Sequence, residues 1–285
     1  MAPPTFLIAG ATGNTGRGTV ETLSRLLQTD AVFSGYRILA LTRSAGGAAA
    51  QQLAKLPKVQ VAEKTWVEIT PDWLREQNVK RAFIASHNLP KHFAEESTFH
   101  VAAFQAGVHY VVRISTTAAN VRPNFAAYYP RTHWAIETLL GSPEFEPLRW
   151  TSLQPNVFTQ LYLGPAAELV RNFAKTGKQE TLKLLASEDG PVGAIDSSEV
   201  GHFAAHLLVQ EDVSPYNKAK YVMNGPEDIT GRGIVDMVEK SIGTKVEDVS
   251  FRNLEFIDKM AADSNEARNV IFRSQERLET ERKRG

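Results

Sequence analysis

The chain of 285 residues contains no cysteine. That excludes disulfides, thiolate metal sites, iron–sulfur clusters and thiol nucleophiles. Neither charge is in excess, since 32 Lys and Arg balance 32 Asp and Glu. The chain therefore lacks the electrostatic footprint of a nucleic-acid or anionic-membrane binder. No apolar run comes near the roughly 20 residues that a membrane span needs. The opening Met-Ala-Pro-Pro-Thr has no basic stretch leading into an apolar one, so a soluble, cytoplasmic protein is expected. The 7 histidines are scattered. His202 and His206 stand one helical turn apart in an otherwise apolar stretch and are read as packing or surface residues, and no metal site is expected.

What is present is ordinary globular material, 42% hydrophobic and 22% charged. The length allows one large domain or two small ones and needs no covalent staple. Thr5–Gly10 (TFLIAG) is an apolar run that breaks at glycine, and 14–27 then shows helical spacing, with Val20, Leu23, Leu26 and Leu27 on one face. Further strands are expected at 36–42, 59–62, 81–86, 110–115 and 149–154. Helices are expected between them at 48–55, 71–77, 92–106 and 131–140. This alternation predicts βαβ units and a parallel sheet covered on both faces. Beyond Pro155 the rhythm loosens. Helices are expected at 163–175, 197–209 and 230–242, strands at 221–224 and 246–251, and a charged helical tail from Arg252. The fold class is thus α/β, a doubly wound parallel sheet. A larger domain over 1–156 is followed by a smaller α/β region over 157–285.

Gly10-Ala11-Thr12-Gly13-Asn14-Thr15-Gly16 lies between the first strand and the first helix. Gly10 can make the tight exit from the strand, Gly13 lets the backbone approach a pyrophosphate, and Gly16 lets the helix pack close to the sheet. The helix N-terminus then faces the anion. Thr12, Asn14 and Thr15 add side-chain donors. The alternative is a plain glycine-rich turn, but the strand–turn–helix setting favours a dinucleotide site. An acidic residue at the end of the second strand would bind a ribose 2′-OH, whereas an arginine accommodates a 2′-phosphate. The chain reads Leu41-Thr42-Arg43-Ser44 there. Arg43 offers a planar fork and Ser44 a hydroxyl, so NADP(H) is expected over NAD(H).

The spacing GxxGxxG in GATGNTG resembles the extended and atypical short-chain dehydrogenase/reductases, and the NmrA-like family most of all. Other passages are similar to that family's pattern in the same order: AFQAGVHYVVRISTT from Ala103, RTHWAIETLL from Arg131, LRWTSLQPNVF from Leu148, VGAIDSSEV from Val192 and NGPED from Asn224. The resemblance implies a Rossmann-type domain completed by a smaller C-terminal region, with a pocket between them.

One departure concerns the proton donor. Typical short-chain reductases carry Ser…Tyr-x-x-x-Lys, whereas this chain has Ser115 and Tyr129-Pro130-Arg131-Thr132-His133. A histidine at neutral pH is only partly protonated and would lower a tyrosine pKa less than lysine does. Pro130 disfavours a helical Tyr129, so Tyr129 and His133 are not expected to share a helix face. Tyr129 is the candidate proton donor, with Tyr128 its rival and an aromatic pocket wall the alternative role. His133 is placed near the cofactor.

Ser86, His87 and Asn88 end the fourth strand at the edge where doubly wound sheets bind ligands. The resemblance implies that Pro155, Asn156 and Phe158 line the nicotinamide side. Trp134, Phe158 and Tyr162, with the 185–196 segment, are expected to wall an apolar substrate pocket, with simple core packing the alternative for such aromatics. Asp196 and Glu199 read as helix-capping residues.

An NADPH-dependent reductase of a small conjugated, imine or carbonyl-type molecule in specialised metabolism is the leading expectation. A dinucleotide-binding redox sensor with a protein partner, and an enzyme repurposed for acid–base cyclisation, are the alternatives. Direct nucleic-acid or membrane binding is not expected.

Overall fold

The computed structural model describes residues 2–255. The elements follow in chain order as β1 (Thr5–Ala9), α1 (Asn14–Thr29), β2 (Arg37–Thr42), α2 (Ala48–Leu53), β3 (Val59–Glu63), α3 (Pro71–Glu76), β4 (Val79–Ile84), α4 (His92–Ala106) and β5 (Tyr110–Ile114). Then come α5 (Tyr128–Leu140), β6 (Arg149–Pro155), α6 (Thr159–Thr176), β7 (Leu182–Lys183), α7 (Ser197–Leu208), β8 (Ala219–Met223), α8 (Gly231–Ile242) and β9 (Val249–Ser250). The expected tail beyond residue 255 lies outside the described residues.

Seven strands form one sheet in the order β3-β2-β1-β4-β5-β6-β8, and every pairing is parallel. The order reverses between β1 and β4, which makes a topological switch point at the carboxyl edge. Strands such as β1 are buried along their whole length because helices cover both faces. On one face Phe6, Ile8, Phe83 and Val112 pack against Val20 and Leu23 of α1 and Val200 and Leu208 of α7. On the other, Leu7, Leu39, Ile84 and Val111 pack against Leu74, Phe99, Ile136 and Leu140 of α3, α4 and α5. The helices α1 and α7 touch backbone to backbone, since a Cβ on Gly201 would stand 2.3 Å from the Thr15 carbonyl oxygen.

A smaller core gathers Tyr162, Leu169, Leu182, Leu184, Ile234 and Val238. It is built from α6, α8 and the two-stranded parallel sheet β7–β9. The expected division at residue 156 does not cut the sheet cleanly. The chain leaves the large unit after β6 and returns to it with α7 and β8, because β8 pairs with β6 and α7 fills the groove beside α1. The expected strand at 246–251 shrinks to Val249–Ser250, and α6 starts at Thr159 rather than 163.

A second correction concerns Pro130. The helix α5 starts at Tyr128, with Pro130 in its first turn, where a missing N–H costs no intrahelical bond. Tyr129 and His133 are thus on one helix, one turn apart.

Candidate functional site

The loops after β1, β2, β4, β5 and β6 meet along one edge. After β1, Gly10 has φ +81, and a Cβ there would meet the Ala85 carbonyl oxygen at 2.7 Å. The turn therefore lies directly against the loop that follows β4. Gly13 caps α1 without a side-chain bond, and no acidic residue occupies the first turn. The N–H groups of that turn are left to an outside acceptor. Gly13 and Asn14 are exposed and Thr12 is half-buried, while Thr15 and Gly16 are buried against the sheet and α7. A glycine cradle with an unsatisfied helix N-terminus fits a pyrophosphate.

After β2, Arg43 and Ser44 stand exposed. Thr42 shapes this turn by accepting the Ser44 amide at 3.2 Å, and its hydroxyl lies 3.5 Å from that of Thr12. One nearby carboxylate escaped the sequence reading. Glu63 ends β3 beside Thr42 and accepts the Ala45 N–H at 2.9 Å. It folds the loop that carries Arg43.

After β4, the Ser86 hydroxyl turns inward and donates to Glu96 at 2.6 Å. His87 accepts the Leu89 amide on Nδ1 and donates from Nε2 to Glu95. Asn88 is exposed, and its Oδ1 lies 3.3 Å from His133 Nε2. After β5, the Ser115 hydroxyl is buried and makes no hydrogen bond to any described residue. Pro155 closes β6 and is buried, and after it the Asn156 side chain accepts the Val157 amide at 2.8 Å and donates to Asn224 at 3.0 Å. Phe158 is half-buried beside the core and bridges to Ile195.

Tyr129 meets His133 edge to face, with ring centroids 6.5 Å apart. Burial pushes the Tyr129 hydroxyl above the usual phenol range, and a bond with Thr116 offsets this in part. Tyr128 lies in the same turn, with the Arg131 guanidinium over its ring. Trp134 is 37% exposed on α5. Tyr162, expected on the pocket wall, is instead 4% exposed and packed in the smaller core. Burial pushes its hydroxyl up to about 12. Asp196 caps α7 by accepting the Ser198 amide at 2.7 Å, the structural role expected of it.

Behind His133 lies a buried charge cluster that the sequence reading did not find. Arg113 on β5 donates from Nε to Glu96 Oε1 at 2.5 Å, from Nη1 to Ser152 at 3.1 Å and from Nη2 to His133 Nδ1 at 2.8 Å. Glu96 also accepts from His92 and His100. Glu137 accepts from Ser152 and Gln154 and pairs with Lys220 at 3.0 Å. Burial opposes ionisation of Glu96, but Arg113 and the histidine bonds outweigh it and hold the carboxyl well below the usual range. Glu137 is held low in the same way by Arg113, Ser152 and Lys220. Burial, and then Arg113 and His92, hold His133 well below the ordinary histidine value. His133 is therefore neutral at physiological pH, where partial protonation had been expected. The readable signal was an arginine in the middle of the apolar strand YVVRI, which must be paired to be buried.

The family model that matches is that of the NmrA-like family, over residues 4–278. No curated protein matches. Among solved structures, the chain is similar to an NADPH-dependent quinone oxidoreductase from Escherichia coli complexed with NADPH. The TM-score is 0.67 and the identity 19%, over 92% of this chain and 84% of that one. It is also similar to a Citrobacter sp. triphenylmethane reductase complexed with NADP(H), with TM-score 0.65 and 17% identity over 92% and 84% of the two chains. A third is a UDP-glucose 4-epimerase from Thermotoga maritima, with TM-score 0.63 and 12% identity over 87% and 85%. At these identities the likeness establishes the fold.

Proposed function

The chain belongs to the NmrA-like family, and on that premise we propose that it is an NADPH-dependent reductase of a small conjugated, imine-type or carbonyl-type molecule. The observation that carries this reading is the juxtaposition at the switch point. An uncapped helix N-terminus on a glycine cradle lies against the loop after β4, and Asn88 of that loop reaches His133 one helical turn from Tyr129. The similarity to a quinone oxidoreductase complexed with NADPH and to a triphenylmethane reductase complexed with NADP(H) supports it.

In this reading the first turn of α1 and Gly13 hold the pyrophosphate, and Arg43 and Ser44 hold the 2′-phosphate. Ser115, Pro155, Asn156 and Phe158 border the nicotinamide end. NADPH supplies a hydride when bound. Tyr129 keeps its proton at physiological pH and can donate it to an acceptor oxygen or nitrogen. His133 carries no charge, its Nδ1 accepts from Arg113, and its Nε2 lies at the edge beside Asn88. Trp134, exposed on α5, and Phe158 offer apolar surface to an aromatic substrate. A role in specialised metabolism belongs to the same proposal.

A second reading, a dinucleotide-binding regulator that does not turn its ligand over, draws on one observation. The residue in place of the lysine is a neutral histidine, so no cation one turn from Tyr129 helps it to ionise. The deciding experiment is NADPH oxidation against a panel of quinones, enones, imines and cationic dyes. Turnover with at least one acceptor is expected. No turnover with any of them, together with dinucleotide-dependent capture of a protein partner, would replace the first reading with the second.

A further inference from the structure

Arg113 is fully buried, and each of its three nitrogens has a partner. A guanidinium has donors only and keeps its proton in proteins. Its bond to His133 Nδ1 therefore needs a lone pair there, and the ring's one proton must sit on Nε2. That nitrogen faces the exposed Asn88 at the carboxyl edge. The other groups facing His133 do not undo this assignment. From α4, His92 meets its ring edge to face at 4.7 Å between centroids, and Glu96 is already bonded to Arg113, His92 and His100. From its own helix α5, Tyr129 presents a ring edge or face and no charge. The charges also balance without it: Arg113 and Lys220 answer Glu96 and Glu137. A protonated His133 would add a third cation, 2.8 Å from the Arg113 guanidinium.

We propose that Arg113 is a positioning residue that holds His133 as the neutral Nε2–H tautomer, so that His133 offers an acceptor oxygen at the carboxyl edge one hydrogen bond and never a positive charge. The oxygen belongs to a ribose hydroxyl or to the substrate. The proposal rests on the reading of this edge as a dinucleotide and substrate site. The tautomer itself can be measured without either ligand.

The test is nitrogen-15 NMR of the histidine rings in the full chain, with His133 assigned through His133→Gln. The expected spectrum shows a bare Nδ1 and a protonated Nε2, unchanged from pH 8 to pH 5.5. Arg113→Met alone strands two buried carboxylates, so the informative variant is Glu96→Gln/Arg113→Met, which removes one charge of each sign. Glu96→Gln is its control.

In the double variant His133 is expected to mix tautomers and to take up a proton at a higher pH than in the wild type, while burial still holds it below the ordinary histidine value. Turnover of NADPH with an active acceptor should fall several-fold at pH 8, where part of the population lacks the Nε2–H, and recover towards low pH as protonation restores that proton. A merely structural loss would lower turnover at both pH values alike. Glu96→Gln should keep the wild-type tautomer. NADP⁺ affinity measured beside turnover tells the two oxygens apart: a loss of affinity points to the ribose, and a loss of turnover alone to the substrate.

A wild-type His133 with its proton on Nδ1, or charged at pH 7, would overturn the proposal. So would a double variant with the wild-type tautomer and pH profile. If the double variant does not fold, the wild-type spectrum still decides. Failure to turn over any acceptor would overturn the reductase reading and leave the tautomer assignment standing.

Discussion

A Cβ built on Gly16 would stand 2.1 Å from the carbonyl oxygen of Gly10. Both groups are backbone, so neither can swing aside. The first turn of α1 reaches the end of β1 only because residue 16 has no side chain. Gly16→Ala is expected to lower stability by roughly 1–3 kcal/mol, the usual cost of overpacking, and to weaken NADPH binding at least tenfold by moving the helix N-terminus. Gly13→Ala meets the Gly10 oxygen at a milder 3.2 Å at an exposed position. It should weaken NADPH binding while leaving the melting temperature nearly unchanged. Calorimetric titration and thermal melts on both variants check this pair.

Arg43 is exposed on the turn shaped by Thr42 and Glu63. Arg43→Ala should lower NADPH affinity roughly tenfold, the worth of a charge-assisted bond at the surface, and leave NADH affinity unchanged. Titration of both cofactors against both proteins reads the selectivity. An equal loss for the two would show that Arg43 does not read the 2′-phosphate.

Tyr129 and Tyr128 share one helical turn but not one environment. Burial raises the Tyr129 hydroxyl above its ordinary value near pH 10. It stays protonated across the physiological range, and no loss of activity from its ionisation is expected below about pH 10. Tyr129→Phe should lower turnover by about a hundredfold, the low end for a general acid, with NADPH affinity unchanged. Tyr128→Phe should change turnover little. Steady-state kinetics of the two variants distinguish donor from neighbour, and the reverse ranking would move the role to Tyr128.

Stability should depend on pH through the buried cluster. His133 and His100 bind a proton less readily in the fold than in the unfolded chain, chiefly because of burial. Unfolding therefore takes up protons below about pH 6.5. The stability they allow is complete above that value and declines as the pH falls below it. Glu96 and Glu137 are also held low in the fold, which adds a second decline below about pH 4.3. Urea unfolding at pH 8 and pH 5.5 should show the first step, and His133→Gln should make it smaller. Equal midpoints at the two pH values would contradict this account of the cluster.

Much of the fold was readable from local pattern. Continuous apolar runs marked β1, β2, β4, β5 and β6, and the expected helix at 92–106 has the bounds of α4. The Asp196 cap was readable because capping chemistry acts within a few residues. The start of α5 was misplaced because the rule for a residue before proline is weakest in a helix's first turn, where Pro130 sits. Tyr162 was set on a pocket wall, but whether an aromatic faces a pocket or a core depends on packing against α8 and β7, which lie far along the chain.

The sequence alone determined the parallel α/β layout, the glycine cradle after β1 and the replacement of a lysine by His133, since each follows from the order of residue types over short spans. The tertiary structure decided the charge and tautomer of His133. Arg113 lies on a different strand and Glu96 on a different helix, and the bonds that place the His133 proton form only where β5, α4 and α5 pack away from water.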